Sequence, residues 1–144
     1  MQKIKCLMMM LAAFVVLMSC SKNDDSIIGD WLPLFFDNQN IEVPSEGGDY
    51  VSKIKNYYSE FFIYKVEAIQ GDNAVTVYDA KNSAFVSSVK SEWFNIGVSN
   101  EDKKVIEIHI EPNTAGIDRK LQIVLSPSIT GRVTASVNVN QSGK

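Results

Sequence analysis

Short segments in which apolar and polar residues alternate one by one fill most of the chain after residue 40, and this pattern restricts the fold most. The clearest segments carry apolar side chains at every second position: Ile106, Ile108, Ile110; Leu121, Ile123, Leu125; and Val133, Ala135, Val137, Val139. Successive side chains of a strand point to opposite faces, so this spacing predicts strands with one buried and one solvated face. No segment after residue 20 shows a sustained 3.6-residue apolar period, which argues against helices.

Weaker alternation predicts further strands at 50–55, 61–69, 74–78 and 93–98, with an earlier one beginning at Ile41. In the segment 61–69 the pattern places Phe62, Tyr64 and Val66 on the buried face and leaves Phe61 on the other. A single open sheet would leave its apolar face uncovered, so two layers are expected. Seven to eight short strands in little more than one hundred residues predict an all-β, immunoglobulin-like antiparallel β-sandwich.

The first nineteen residues have the organisation of a secretory signal. Lys3 and Lys5 precede an apolar run over 7–18, which is shorter than the roughly 20 residues that a membrane span requires. The run ends in Leu17-Met18-Ser19-Cys20, which resembles the lipobox of bacterial lipoproteins. The resemblance implies cleavage before Cys20 and attachment of lipid, palmitate included, to that cysteine. The alternative is an ordinary secretory signal that happens to contain a cysteine.

These features divide the chain into a signal peptide (1–19), a lipidated tether with an N-terminal segment (20–37) and a sandwich domain (38–144). Residues 22–25, Lys-Asn-Asp-Asp, resemble the acidic stretch that directs lipoproteins of Bacteroidetes-type bacteria to the cell surface. We therefore expect a lipid-anchored protein of the outer membrane, on the cell surface or otherwise on the periplasmic face. Residues 25–27 are similar to the O-glycosylation motif of the same bacteria, but so short a pattern leaves modification of Ser26 open.

The charge of the chain argues against nucleic-acid binding, and its cysteine content argues against stabilisation by disulfides. Removal of residues 1–19 takes away two lysines and no acid, which changes the formal net charge from −3 to −5. The remaining chain has no basic run, so nucleic acid is not an expected partner. The two cysteines are Cys6 and Cys20. The folded body therefore forms no disulfide, and a hydrophobic core must stabilise it.

Catalytic and metal-binding patterns are absent from the sequence. The single histidine, His109, alternates with isoleucines and is predicted to point from the polar face of a strand. Without a second histidine or a cysteine cluster, a zinc site is not expected. No serine follows a recognisable nucleophile elbow, and no spacing singles out a pair of carboxylates. We predict a non-catalytic protein without a metal or a cofactor.

Four segments, in order, resemble the BACON domain, an immunoglobulin-like module of Bacteroidetes. Residues 41–50, Ile-Glu-Val-Pro-Ser-Glu-Gly-Gly-Asp-Tyr, resemble its first strand, acidic-Gly-Gly turn and second strand. Residues 91–96 are similar to its tryptophan strand, 108–123 to its Asn-Thr turn followed by an Arg-led strand, and 137–143 to its closing strand with a Gln-Ser-Gly end. The resemblance covers roughly residues 38–143, and the chain departs from it between Tyr57 and Ser88.

The resemblance implies a module that binds extracellular carbohydrate or mucin, because BACON modules often precede glycan-degrading enzymes. Sugar recognition uses flat aromatic rings with polar groups nearby. The candidate ligand-binding residues are therefore Tyr57, Tyr58 and Phe61, in the aromatic segment 57–64, and Trp31, which forms a second aromatic cluster with Phe35 and Phe36. The alternative for both aromatic clusters is that they cover the ends of the core or pack together. The alternative function is a protein-interaction or structural accessory module of an outer-membrane surface assembly.

Three further motifs have a structural interpretation. Gly47 and Gly48 are expected to supply positive φ angles at a tight connection. Arg119 and Gln141 are expected at strand ends, where their side chains bond to loop carbonyls. Trp93 is expected to pack in the core, with an exposed sugar platform as the alternative.

Overall fold

The computed structural model describes residues 33–56, 60–128 and 130–144, and in these residues the chain forms strands and no helix. The nine strands are β1 (Asn40–Val43), β2 (Gly48–Lys53), β3 (Phe62–Gln70), β4 (Asn73–Asp79), β5 (Ser88–Lys90), β6 (Phe94–Val98), β7 (Val105–Ile110), β8 (Arg119–Ser126) and β9 (Ala135–Gln141). The predicted all-β class is confirmed, with one or two strands more than the alternation indicates.

The strands form a five-stranded sheet in the order β1-β9-β8-β3-β4 and a four-stranded sheet in the order β2-β7-β6-β5. The chain crosses between the sheets after β1, β2, β4 and β7. Neighbours β9-β8-β3-β4 in one sheet and β2-β7-β6 in the other reproduce the strand order of an immunoglobulin-like sandwich, which confirms the predicted architecture. All pairs of named strands are antiparallel except β1 and β9, which run parallel.

The core lies between the inner faces of the two sheets. In β7 and β8 every second residue is buried, as the alternation predicts: Ile106, Ile108, Ile110 and Leu121, Ile123, Leu125. Leu34 and Phe36 are buried in the same core. Phe36 forms an isolated antiparallel β-bridge with Ile54, the residue that follows the end of β2. Leu34 and Phe36 thus connect the N-terminal segment of residues 20–37 to the core of the sandwich.

Strand β3 does not follow the predicted alternation, and this places Phe61 in the core. The register with β8 pairs Ile63 with Leu125 and Lys65 with Val124, so it steps over Tyr64. Such a bulge adds one residue and reverses the side-chain phase. Phe61, Ile63 and Val66 are buried, whereas Phe62 and Tyr64 are half-buried. The prediction that Phe61 faces solvent as a ligand contact is wrong, because its side chain is only 2% exposed.

The connection between β1 and β2 contains the two glycines that the sequence indicated. Gly47 and Gly48 have φ angles of 75° and 142°, which other residues rarely adopt. A Cβ at Gly47 would overlap the carbonyl oxygen of Ile110, so the turn is pressed against the end of β7. The expected positive φ angles are confirmed, and close approach of the backbone is a second reason for glycine here.

We expect Gly47→Ala to lower the free energy of unfolding by about 2 kcal/mol or more, because it combines an unfavourable φ with a steric overlap. Urea unfolding followed by tryptophan fluorescence measures the change. The matched control is Gly97→Ala in β6, where a Cβ would be 3.6 Å from its nearest neighbours and no positive φ is required. A Gly47→Ala variant as stable as Gly97→Ala would contradict this account of the turn.

Candidate functional site

Of the residues that the sequence predicts for lipidation, glycosylation or ligand binding, the structure describes Phe61, which is 2% exposed. Cys20, Ser26, Trp31, Tyr57 and Tyr58 lie outside the described residues. Phe61 is buried and packs edge-on against Phe36, with ring centroids 5.5 Å apart and an angle of 86° between the rings. Phe36 and Phe61 therefore pack together inside the core. Phe35, beside Phe36, stays 54% exposed.

An open cleft lies between β3 and β4 on one side and the loops that precede β6 and β8 on the other. Val75 pairs with Ala68 on the core-facing side of the sheet, yet Val75 is 59% exposed. We name this space the Trp93 cleft; its volume is about 370 Å³. Its wall on β3 and β4 is formed by Ala68, Gln70, Asn73, Val75 and Val77, and the facing wall by Ser91, Glu92, Trp93 and Ile117.

Trp93 is half-buried, so it is neither fully packed in the core nor fully exposed. Its ring packs edge-on against Phe94, with centroids 5.0 Å apart, and it contacts the core. The residue also lines the cleft. The guanidinium of Arg119 lies 5.3 Å from the centre of the indole ring, a cation–π distance. These contacts hold the indole in one orientation, so it offers a fixed apolar surface.

The loop between β7 and β8 brings Ile117 to the cleft, and Asn113 holds that loop. Asn113 is fully buried, and its side-chain amide donates hydrogen bonds to the carbonyls of Ile117 (2.8 Å) and Ser142 (3.2 Å). The backbone N–H of Gly71, in the β3–β4 turn, donates to the carbonyl of Asp118. The apolar wall at Ile117 is therefore tied both to the end of the chain and to the opposite wall.

Arg119 and Gln141 bond to loop carbonyls, as the sequence predicts. The amide of Gln141, which is 1% exposed, donates to the carbonyl of Glu111 at 2.8 Å, and Nη1 of Arg119 lies 3.4 Å from the carbonyl oxygen of Pro112. Both side chains tie the β7–β8 loop to strand ends. Arg119 has in addition the contact with Trp93, which no sequence pattern indicates.

The cleft combines an apolar surface with polar groups at its rim. Val75, Ile117 and the indole of Trp93 supply the apolar part. Amides from Gln70 and Asn73, together with the hydroxyl of Ser91 and the carboxylate of Glu92, lie around it. This composition matches sites that stack a flat apolar ligand face and bond its polar edge. The one sequence signal for it was the tryptophan beside polar Ser91 and Glu92.

A second concave surface lies on the solvent side of the four-stranded sheet, with a volume of about 490 Å³. We name it the outer groove. One row across the sheet contains Asp49, His109 and Asn95, and the next contains Glu107, Gly97 and Ser88. Gly97 has no side chain and forms the floor. The row of Glu107 also contains Val51, which is 62% exposed, and Tyr50, which packs against the core, lines the groove as well. The groove therefore combines polar groups with one exposed aliphatic side chain.

His109 points from the polar face of β7, as predicted, and lies between two carboxylates. Its Nδ1 is 2.6 Å from Oδ1 of Asp49, and its Nε2 is 3.4 Å from Oε1 of Glu111. The hydrogen bond with Asp49, and then the charges of both carboxylates, raise the pKa of His109 above its ordinary value. Within the described residues, no group of three or more His, Cys, Asp or Glu side chains is arranged to hold a metal ion.

We expect the His109–Asp49 pair to stabilise the fold below the unfolded pKa of histidine and to lose this contribution as the pH rises through the higher folded pKa. The side chain of His109 is 45% exposed, so the contribution is below about 1 kcal/mol. Urea unfolding at pH 5.5 and 8.5, compared between wild type and His109→Gln, measures it. Asp49→Asn should lower the pKa of His109 in an NMR titration. An unchanged pKa would show that the pair does not form.

Comparison with known proteins supports the fold. An NMR structure of a protein from Bacteroides thetaiotaomicron matches with a TM-score of 0.59 and 14% identity, covering 82% of this chain and 93% of that one. A Bacteroides ovatus GH5 xyloglucanase, solved in complex with a XXXG heptasaccharide, matches with a TM-score of 0.44 and 16% identity, over 77% of this chain and 18% of the enzyme. The first match shows a shared β-sandwich fold.

Murine CRIg matches with a TM-score of 0.37 and 9% identity, over 77% of this chain and 84% of its own. No protein-family model and no curated protein matches the sequence. The part of the chain that the structure describes has no helix long and apolar enough to cross a membrane. Fold and topology together define the chain as an immunoglobulin-like β-sandwich.

Proposed function

We propose that this protein is a non-catalytic, BACON-like binding module that takes extracellular carbohydrate in the Trp93 cleft. The observation that carries the proposal is the half-buried indole of Trp93, which is held by Phe94 and Arg119 and open to a cleft with a polar rim. A pyranose ring presents an apolar face and hydroxyl edges. Stacking on a fixed indole with amides and a hydroxyl nearby suits that shape.

The Trp93 cleft supports this function better than the outer groove does. A flexible glycan loses conformational entropy when it binds, and its contacts with the protein must offset that loss. A preformed aromatic surface provides such contacts with little loss of its own side-chain freedom. The outer groove presents polar Asn95, Glu107 and His109, its exposed apolar side chain is the aliphatic Val51, and its tyrosine, Tyr50, packs against the core. The cleft volume is also within the range of small-molecule sites, roughly 300–1,000 Å³.

We expect Trp93→Ala to reduce glycan affinity at least about tenfold, because it removes the stacking surface. The test is a glycan array followed by calorimetry on the chain from residue 27, which retains the compact unit Trp31–Lys144. Trp93 also contacts the core, so a second variant, Gln70→Ala, removes a rim amide and should weaken binding without affecting thermal unfolding. Ala74→Lys, on β4 outside the cleft, is the matched control.

Absence of binding by the wild-type chain to every polysaccharide and mucin would overturn the carbohydrate proposal. Equal affinity of wild type, Trp93→Ala and Gln70→Ala would place any sugar site elsewhere. Loss of affinity in Ala74→Lys as well would show that the edge strand, rather than the cleft, forms the contact.

The alternative function, docking of a protein partner, is supported by the exposed edge of β4. Asn73, Ala74, Val75 and Thr76 are all exposed, and β3 is the only strand that pairs with β4 in the described chain. Such an edge has free backbone groups that an extended segment of a partner can pair with. The charged substitution Ala74→Lys would disrupt strand addition and spare the cleft, so the variants used for sugar binding also separate the two functions.

The proposed location is the outer membrane, with the domain anchored by lipid on Cys20 and facing the cell surface. The support is the signal-like leader and its resemblance to a lipobox. A membrane-held sandwich at the surface meets polysaccharides and host glycans directly, which agrees with a binding function.

We expect Cys20→Ala to abolish labelling by radioactive palmitate and to release the protein from the membrane fraction, because it removes the site of lipid attachment. Cys6→Ala, within the leader, is the matched control and should remain labelled. Protease added to intact cells then separates surface from periplasmic exposure. A Cys20→Ala protein that is still labelled, or a wild-type protein that is never labelled, would contradict the lipoprotein proposal.

A further inference from the structure

The charges around the Trp93 cleft discriminate between classes of glycan. Among the nine described residues that line it, the single ionisable side chain is the exposed carboxylate of Glu92. Two further acids adjoin the walls in sequence: Asp72 in the β3–β4 turn and Asp118 after Ile117. The carboxylate of Asp118 accepts a hydrogen bond from the N–H of Gly143 at 2.9 Å. The charge among the described lining residues is therefore negative.

Arg119 is the cation that contacts the indole of Trp93. Its guanidinium lies against the indole at 5.3 Å and Nη1 faces the carbonyl of Pro112 at 3.4 Å, while its Nε is buried. Arg119 is not among the lining residues. It positions Trp93, and it does not present its N–H groups in the fork geometry that binds a carboxylate or a sulfate.

The lysines on the neighbouring strands point to the other side of their sheets. Lys65, Lys90 and Lys120 each precede or follow a buried residue in the alternation, which directs them outward. Lys65 forms an ion pair with Glu67 on that outer face, at 2.5 Å. No lysine or arginine is therefore among the described residues that line the cleft and could neutralise an anionic ligand.

From this arrangement we propose that the cleft selects uncharged glycans and rejects chains that carry carboxylates or sulfates, such as sialylated or sulfated mucin and uronic acid polymers. The inference rests on the proposed carbohydrate function and specifies its ligand class. Glu92 is the residue that sets the selection. Two like charges about 5 Å apart at a protein surface weaken binding by roughly threefold to tenfold, and salt reduces the effect.

The test uses one neutral glycan that binds the wild-type chain and the same glycan after oxidation of its primary hydroxyls to carboxylates. We expect oxidation to weaken binding to the wild type threefold to tenfold at low salt, and less in 0.5 M NaCl. Glu92→Gln keeps the size and hydrogen bonding of the side chain and should bind both probes with similar affinity. Glu92→Lys should prefer the oxidised probe. Glu107→Gln, in the outer groove, is the matched control and should behave like wild type.

The outcomes separate this inference from the proposed function. If wild type binds both probes equally, or prefers the oxidised one, charge selection is overturned and carbohydrate binding stands. If oxidation weakens wild type and Glu92→Gln by the same factor, the loss is steric and the inference also fails. If no neutral glycan binds the wild type or any Glu92 variant, the proposed function itself fails.

Discussion

Burial of two aliphatic faces against each other is the interaction on which the rest of this structure depends. Residues 21–144 contain no cysteine, so no disulfide limits the unfolded state. Stability comes from side chains such as Ile106, Ile123 and Leu125, which have no exposed surface and contribute roughly 1.5–3 kcal/mol each. Buried polar groups cost free energy unless they are paired, and the side-chain N–H groups of Asn113 and Gln141 hold loops by donating to their carbonyls. Among the described residues, Oε1 of Gln141 and Nε of Arg119 are buried without a partner.

The sequence predicted most of this core because β7, β8 and β9 keep a strict period of two. Prediction failed in β3, where the register steps over Tyr64 and the buried set changes from Phe62 and Tyr64 to Phe61 and Ile63. Both phases contain large apolar residues, so hydrophobicity cannot locate a bulge. Sheet pairing decides it, and pairing partners far apart in the chain are not visible in a local pattern.

The candidate site was even less accessible to sequence reasoning, since its described lining comes from two strands and two loops that are far apart in the chain. Val75 belongs to an alternating strand and would be assigned to the core, yet it is 59% exposed and lines the cleft. Trp93 was identified as a residue that packs or binds. Its combination of core contact, Arg119 stacking and exposure depends on three segments that meet only in the folded chain.

Strand β4 contributes to the wall of the cleft and also forms the edge of the five-stranded sheet, so the form of the edge bears on which ligand fits. The register of β4 with β3 pairs Thr76 with Glu67 and Tyr78 with Val66, and therefore steps over Val77. A bulge in an edge strand increases its twist and interrupts the row of backbone groups that a partner strand must match. Regular pairing is left over Asn73–Thr76, which is short for strand addition. The bulge brings Val77 and Tyr78 against the core together, and Val77 joins the wall of the cleft. The bulge thus makes the edge of β4 less suited to pairing with a protein strand, and it adds Val77 to the apolar wall that faces Trp93. Both effects favour a ligand whose apolar faces have the size of a sugar ring.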